Sequence, residues 1–293
     1  MNSSSYHIPV MLNEVIELLD IKPEGNYIDC TLGEAGHSIA ILEKLGPKGQ
    51  LTSYDQDHEA IEYVKTTYTK LLSENNWILI NDNFAKIDKY HDVSSVDGIL
   101  MDIGMSSRQL EGLERGFSFT KPEEPLDMRM DPNLGVKASD LVNALNEKEL
   151  SRLFRQFGEE RFSGRIAAEV RKSNRKIESV KDLTEVIDRA VPAAFSRTKV
   201  YRRIFQALRI VVNDEIGSLT NGLERAFSLI KPKGRLVVIT FHSLEDRVVK
   251  EFFKLKTNSG EAETVVRAME PDQEEVKKNR KAHSAKLSVL IKK

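Results

Sequence analysis

Four short apolar runs recur in the first hundred residues, at 27–30, 51–54, 77–80 and 97–101. Apolar runs of this length between turn residues are typical of buried strands. The stretches between the first three, 37–45 and 58–72, have helical spacing; a Gly-Pro pair ends the first, and an Asp in N-cap position precedes the second. Strands that alternate with helices predict a parallel sheet.

The alternation then stops. From about residue 110 to 207 there are no strand-like runs, and apolar residues recur with the helical period. An apolar strand at 235–241 and an amphipathic helix at 243–255 follow, and the polar residues 256–263 are typical of a loop. Segments 264–269 and 285–291 are suited to a closing pair of strands.

This pattern predicts an α/β protein with a doubly wound sheet whose ligands bind at the carboxyl ends of the strands. We expect the sheet domain to be discontinuous, 1–109 and 208–293, and to be interrupted by a helical domain at 110–207.

Composition narrows the class of protein. The 293 residues include 40% hydrophobic and 30% charged positions, and no apolar run approaches the roughly 20 residues of a membrane span. Residues 1–5 lack the features of a secretory signal, and the single Cys30 has no partner for an intramolecular disulfide. We therefore expect a soluble, cytoplasmic protein with no membrane partner.

The turn after the first strand contains Gly33 and Gly36, which allow a ligand to approach the backbone at a helix N-terminus. A dinucleotide-binding loop has three glycines, whereas this turn has two and places Glu34 where a phosphate would lie. A ligand without phosphate at this position fits better. The alternative is a tight turn that binds nothing.

The second strand ends at Asp55, 22 residues after Gly33, where open sheets place an acceptor for ribose hydroxyls. The alternative role, capping the next helix, is one that Asp57 can fill alone. After the third strand, Phe84 offers an aromatic face suited to an adenine, although a core position is the commoner role of phenylalanine.

The fourth strand delivers Asp102, followed by the hydroxyls of Ser106 and Ser107, to the centre of the predicted cleft. Asp102 is our candidate for the reacting end, and its alternative role is that of a turn residue. After the fifth strand, His242 is a candidate substrate contact, and we expect Ser243 to cap the next helix.

Neither a catalytic metal nor a serine nucleophile is expected. The six histidines include no i, i+4 pair, and the chain has no G-x-S-x-G elbow.

The predicted insertion is locally basic. Residues 151–210 contain 15 Lys and Arg against 7 Asp and Glu, although the whole chain has a formal net charge of −1. We interpret these charges either as contacts to an RNA backbone or as solvated helix faces. The candidate contacts are Arg171, Lys172, Arg175, Lys176, Arg197, Lys199, Arg202 and Arg203.

Taken together, the chain resembles the bacterial methyltransferases that modify the exocyclic N4 of a cytidine in small-subunit (16S) ribosomal RNA, and the likeness runs nearly end to end. The segments that carry it are 7–10, 29–37, 97–102 with Gly104 and 106–107, 109–110, 114–119, 125–130, 158–161, 205–210, 213–215, 241–247, 279–280 and 284–287.

The resemblance implies a class I (Rossmann-like) methyltransferase domain interrupted by a helical, substrate-recognising domain. It also implies S-adenosyl-L-methionine as the cofactor and, as the partner, small-subunit rRNA near the decoding centre, within an assembled or nearly assembled subunit. The cofactor contacts that it implies are Ala35, Gly36, His37, Asp55, Phe84, Asp102 and Gln109.

The chain departs from the family pattern at several positions. The family usually has Gly at Ala35, Pro at Arg108, a small Ala-Thr pair at Tyr201 and Arg202, and Arg at Ser288. Ala35 matters most, because a backbone that needs a positive φ is strained by a Cβ atom.

Three rivals remain open. They are a ribosome-assembly factor on this fold that transfers no methyl group, a nicotinamide-dependent dehydrogenase, and a small-molecule methyltransferase. The two-glycine turn disfavours the dehydrogenase, and the basic insertion disfavours the small-molecule enzyme.

Overall fold

The computed structural model describes residues 9–105, 108 and 114–293. By its internal contacts the chain divides into two compact units, residues 1–106 with 216–293, and residues 107–215. Residues 208–215, which the sequence assigned to the sheet domain, fall in the second unit because the helix Arg197–Val212 is continuous through residue 208.

The strands of the first unit are β1 Asn26–Asp29, β2 Gln50–Asp55, β3 Trp77–Asn81, β4 Val96–Asp102, β5 Ile230–Thr240, β6 Ala262–Met269 and β7 Lys286–Lys292. They form a seven-stranded sheet in the order β3-β2-β1-β4-β5-β7-β6. The first five strands in chain order pair in parallel, and β7 is antiparallel to both β5 and β6. This is the predicted doubly wound sheet with a closing pair.

Consecutive strand residues point to opposite faces of the sheet. Both faces carry apolar side chains, and helices cover each of them. Ile28 and Ile99 belong to one buried apolar cluster, whereas Tyr27 and Leu100 belong to another. The α-helices of this unit are Leu12–Leu19, Gly36–Leu42, His58–Thr67, Thr69–Glu74, Glu215–Leu229, Ser243–Asn258 and Gln273–Lys278, and Phe84–Lys89 and Arg280–Ser284 are 3-10 helices.

Several boundaries differ from the predicted ones. The helix predicted over 58–72 is interrupted at Tyr68, and the helix from Ser243 continues to Asn258, into the stretch predicted as a loop. The strand predicted from 235 begins at Ile230, and its pairing with β4 has an irregularity between Val96 and Gly98.

The described part of the second unit is helical. Ser179 and Asn146 begin two of its helices with capping boxes, in which the side chain of the N-cap residue and an acidic side chain three residues later satisfy backbone N–H groups. Leu150, Phe154 and Leu183 are fully buried, as the helical periodicity predicts. Its helices are Ala138–Ala144, Glu147–Gly158, Ser163–Lys172, Val180–Ala190 and Arg197–Val212.

Among the described residues, no helix combines the length and the apolarity that crossing a bilayer requires.

Candidate functional site

Three carboxylates end three adjacent strands of the first unit. Asp29, Asp55 and Asp102 are the last residues of β1, β2 and β4, and β1 lies between the other two strands. Burial is the largest cause that raises the pKa values of Asp29 and Asp55, and neighbouring charges, of Asp102 on Asp29 and of Asp29 on Asp55, raise them further. The carboxyl edge of the sheet is therefore a cluster of acids whose ionisation is coupled.

The glycine turn lies at this edge. Gly33 has φ 50° and Ala35 has φ 69°, so both adopt the left-handed conformation. Ala35 is fully buried and precedes the helix Gly36–Leu42, and its N–H donates to the Leu32 carbonyl at 2.7 Å. The positive φ at Ala35 agrees with the glycine that the family resemblance leads us to expect at this position.

Gly36 lies against the N-terminal segment of the chain. A Cβ atom at Gly36 would approach Cγ of Pro9 to 2.2 Å, so this position excludes any side chain.

Asp55 supports the turn directly. Its Oδ2 accepts the N–H of Gly33 and its Oδ1 accepts the N–H of Asp57, each at 2.9 Å. Burial raises the pKa of Asp55 to about 7, against the opposing effect of these two donors. Asp57 caps the following helix by accepting the N–H of Glu59, as predicted, so Asp55 is not needed as the cap.

Asp29 was missed as a site residue, although it ends an apolar strand just as Asp55 and Asp102 do. Its Oδ2 accepts the Ser38 hydroxyl at 2.7 Å, and burial raises its pKa to about 6. Because Ser38 donates to Asp29, the contact with Ser53 at 2.8 Å must have Ser53 as donor, and Ser53 in turn accepts the indole N–H of Trp77 at 2.9 Å. The hydrogen bonds from Trp77 to Ser53, from Ser53 to Ser38 and from Ser38 to Asp29 therefore all run toward the Asp29 carboxylate.

Asp102 faces the predicted cofactor contact His37. His37 is buried, and its Nε2 lies 3.0 Å from the Val10 carbonyl, so this nitrogen carries a proton. Its Nδ1 lies 3.5 Å from Oδ2 of Asp102. Burial raises the pKa of Asp102 to about 7 and lowers the pKa of His37, which favours the proton of this pair on Asp102.

The other oxygen of Asp102 has no hydrogen-bond partner among the described residues. Oδ1 is buried and accepts no hydrogen bond from the described part of the chain. An unsatisfied buried carboxylate oxygen costs free energy, and such atoms are often found where a ligand binds.

Phe84 begins the 3-10 helix Phe84–Lys89 and is partly buried. Its ring packs against Gly222 in the helix Glu215–Leu229, where an added Cβ atom would approach the ring to 2.6 Å. Gly222 was not singled out from the sequence, because only the tertiary packing gives this helix position its close approach to Phe84.

His242 has a local structural role besides the substrate contact predicted for it. It is itself the N-cap of the helix Ser243–Asn258, and its Nδ1 accepts the N–H of Glu245 at 3.3 Å. Its Nε2 lies 2.9 Å from Oε1 of Glu245. The expectation that Ser243 caps this helix is wrong, because Ser243 is the first helical residue and the imidazole takes the capping role.

Ser106 and Gln109 lie outside the described residues, and so do Ser107, Leu110 and residues 7–8.

The basic residues of the second unit divide into two groups. The Arg171 guanidinium donates to the carbonyls of Val142 and Asn143, and Arg197 pairs with Asp188 at 3.0 Å, so both stabilise the fold of the unit. In contrast, Lys172, Lys199 and Arg202 are exposed. Arg203 is half-exposed and lies 3.4 Å from the buried carboxylate of Glu160.

The aromatic residues after Arg115 pack mainly as core. Phe117 is buried, and Phe119 packs on the rings of Phe205 and Tyr201 with centroid distances of 6.0 and 5.7 Å. The Tyr201 hydroxyl also donates to Asp188. Tyr201, a departure from the family pattern, is thus part of the packing of this unit.

Comparison with known proteins gives consistent matches over the whole length. A profile of the MraW methylase family matches residues 4–293. The chain is 40% identical over 299 residues to the ribosomal RNA small subunit methyltransferase H of Mycoplasmopsis pulmonis, covering 98% of this chain and 99% of that protein. It is 42% identical over 289 residues to the protein of the same name from Dictyoglomus turgidum, covering 97% and 96%.

Solved structures match the fold. A crystal structure of a Clostridium thermocellum protein superposes with a TM-score of 0.51 at 12% identity, covering 98% of this chain and 100% of that one.

The sheet order and its carboxyl-edge site define a class I methyltransferase fold, as the sequence predicted. The chain belongs to the MraW methylase family. It is accordingly an S-adenosyl-L-methionine-dependent methyltransferase.

Proposed function

We propose that this enzyme methylates the N4 amine of a cytidine in small-subunit (16S) ribosomal RNA, near the decoding centre. The substrate class follows the relatives at about 40% identity, which are named ribosomal RNA small subunit methyltransferases. The observation that carries the assignment of the reacting end is the buried Oδ1 of Asp102, which lies at the carboxyl edge and accepts no hydrogen bond from the described residues.

The carboxyl edge fits the cofactor chemically. S-adenosyl-L-methionine, when bound, supplies an electrophilic methyl group on a sulfonium, and it carries a second cation on its α-amino group. The acids Asp29, Asp55 and Asp102 provide the negative potential that such a cation favours, and no phosphate has to be accommodated.

Each predicted contact then has a role. Asp55 holds the ribose hydroxyls, Phe84 stacks on the adenine, and the turn of Ala35, Gly36 and His37 lines the approach to the helix N-terminus. We also assign Gln109 to cofactor binding, and Ser106 and His242 to the substrate.

Asp102 holds the hydrogens of the cytosine amine. With the cofactor bound, transfer of its methyl group would leave the amine nitrogen positively charged and the cofactor's sulfur neutral, and the nitrogen would then have to lose one proton. An ionised Asp102 stabilises that charge and accepts the proton, and its pKa of about 7 suits a group that exchanges protons near neutral pH. Positioning of the amine against the methyl group supplies most of the remaining acceleration.

Loss of the modification in cells tests the proposed function. In a strain that lacks the gene, mass mapping of small-subunit rRNA should show one cytidine lighter by one methyl group, and a plasmid copy of the wild-type gene should restore it. A deletion strain whose rRNA remains fully modified would contradict the proposal.

Cofactor binding separates the enzyme from the rival assembly factor. Calorimetry with the purified full-length chain should detect binding of S-adenosyl-L-methionine, and assembled small subunits from the deletion strain should accept its labelled methyl group. An absence of both binding and transfer would favour an RNA-binding factor without activity.

A further inference from the structure

A second concave site lies entirely within the helical unit. It is a cavity of about 450 Å³ between the end of the helix Glu147–Gly158 and the start of the helix Arg197–Val212. A cavity of this volume lies within the range of small-molecule sites. The side chains used below are Glu160, Arg161, Phe162, Phe195, Lys199 and Arg203.

The aromatic wall of this cavity consists of two phenylalanines and a guanidinium. The ring centroids of Phe162 and Phe195 lie 5.0 Å apart with their planes tilted by 58°, and the guanidinium carbon of Arg161 lies 4.1 Å from the centre of Phe195 and 4.8 Å from that of Phe162. Phe195 remains 37% exposed, although an aromatic ring gains free energy by burial. Its exposed ring and the planar guanidinium offer flat surfaces on which an unpaired base can lie.

Two basic residues of the cavity, Lys199 and Arg203, form a second wall. Lys199 and Arg203 are one turn apart on the helix Arg197–Val212, so they share a face. Lys199 is exposed and forms no ion pair with another described residue. The helix dipole adds a partial positive charge at this end.

Arg203 is held in place by a buried acid. The carboxylate of Glu160 has no solvent exposure, lies 3.4 Å from Nη1 of Arg203, and also accepts the Phe162 N–H at 2.8 Å. The ion pair neutralises the charge of Glu160. The guanidinium of Arg203 has five N–H donors, so it can still donate to a further acceptor. The cavity therefore combines an anchored cation, an exposed cation and an aromatic platform, which are the parts of a nucleotide-binding site.

We propose that this cavity binds one unpaired nucleotide of the RNA substrate. The base stacks on Phe195 and Arg161, and the adjoining phosphate is held by Lys199 and Arg203. This proposal rests on the proposed function, because it takes the substrate to be RNA. The cavity thus recognises the substrate without taking part in methyl transfer.

Binding measurements on the full-length chain test the proposal. The probe is a fluorescein-labelled single-stranded RNA dodecamer of mixed sequence, titrated over a range of salt concentrations. Phe195→Leu should weaken binding about tenfold, the effect of one lost base stack. Lys199→Gln should lower the slope of log K against log salt by about 0.7, the value for one phosphate contact in a single strand.

Matched controls exclude general effects of charge and stability. Lys148→Gln removes an exposed lysine of the same unit that does not line the cavity, and it should leave both the affinity and the salt slope unchanged. Thermal melts of all variants verify folding, and the exposed position of Lys199 keeps the test valid even where Phe195→Leu destabilises the chain.

The outcomes separate this proposal from the proposed function. Equal affinity and salt slope for wild type, Phe195→Leu and Lys199→Gln would overturn the nucleotide site, whether or not the wild-type enzyme methylates the small subunit. Loss of RNA affinity in the cavity variants supports the site even if methyl transfer to cytidine is absent. An excess of free cytidine monophosphate that binds the cavity without displacing the RNA would also overturn it.

Discussion

At the scale of single residues, the site depends on how buried carboxylates are satisfied. Asp29 receives a directed chain of donors from Trp77 through Ser53 and Ser38, whereas Oδ1 of Asp102 receives no donor from the described residues. Both acids lie at strand ends in the same sheet. The contrast indicates that Asp29 is a structural support and that Asp102 is left for a ligand.

Ser38→Ala tests the structural role of Asp29. The substitution removes the hydroxyl that donates to Asp29 at 2.7 Å and leaves a buried acceptor unsatisfied, so we expect the free energy of unfolding to fall by about 1–3 kcal/mol. Urea unfolding followed by tryptophan fluorescence measures this change. Ser73→Ala, an exposed serine on the helix Thr69–Glu74, is the control and should change stability by less than about 0.5 kcal/mol. Equal effects of the two substitutions would contradict the assignment.

Asp102→Asn tests the chemical role of Asp102. The amide has nearly the same shape but accepts no proton, so we expect the rate of methyl transfer to fall at least about 100-fold. In the wild type, the rate should fall as the pH drops below about 7, where Asp102 is protonated. Initial rates on undermethylated small subunits measure both effects. Asp92→Asn, at an exposed position, is the control, and an Asp102→Asn enzyme with the wild-type rate would refute the role.

At the scale of the elements, some parts of the site around the glycine turn could be predicted from the sequence and others could not. The apolar runs predicted the strands, and thus the edge at which Asp55 and Asp102 lie. Two other features are not contained in the hydrophobic periodicity. The close approach of Gly222 to Phe84 comes from packing of distant segments, and His242 caps a helix although its neighbour Ser243 is the better N-cap residue by local preference.

Substitutions at Ala35 test the strain in the turn. Ala35→Gly relieves a left-handed conformation that costs about 1–2 kcal/mol. It also loses a buried methyl group worth about 0.8 kcal/mol, and the greater freedom of glycine in the unfolded chain lowers stability by about 0.4–1 kcal/mol. Because these effects nearly cancel the relief of strain, we expect the stability of the variant to lie within about 1 kcal/mol of the wild type.

Ala35→Val is the opposite change at the same position. A β-branched side chain is incompatible with φ 69° and overfills a fully buried site, so we expect a loss of about 3 kcal/mol or more. Thermal unfolding compares the variants, and calorimetry should show S-adenosyl-L-methionine affinity retained in Ala35→Gly and weakened in Ala35→Val. A valine variant as stable as the wild type would show that the turn is not held in this conformation.

At the scale of the whole molecule, stability and cofactor binding should respond to pH in opposite directions. Burial raises the pKa values of Asp55 and Asp102 to about 7 and that of Asp29 to about 6, well above those of unfolded carboxyls. Through these three groups the folded chain binds more protons than the unfolded chain between about pH 4 and 7, and their contribution to stability falls as the pH rises through that window. Buried His37, whose pKa is lowered, opposes this trend below about 6.5.

Between pH 6.5 and 8 the opposing contribution of His37, and of His91, whose pKa burial also lowers, declines, whereas Asp55 and Asp102 still titrate. There we expect the melting temperature of the free enzyme to fall as the pH rises, and the increase in melting temperature caused by S-adenosyl-L-methionine to become larger, because a cationic ligand favours ionised acids. Differential scanning fluorimetry with and without the cofactor measures both trends. Asp102→Asn removes one of the titrating groups and should flatten both slopes. A cofactor-induced shift that is equal at pH 6.5 and 8 would mean that these acids do not bind the cation, and that its charge is balanced elsewhere in the chain.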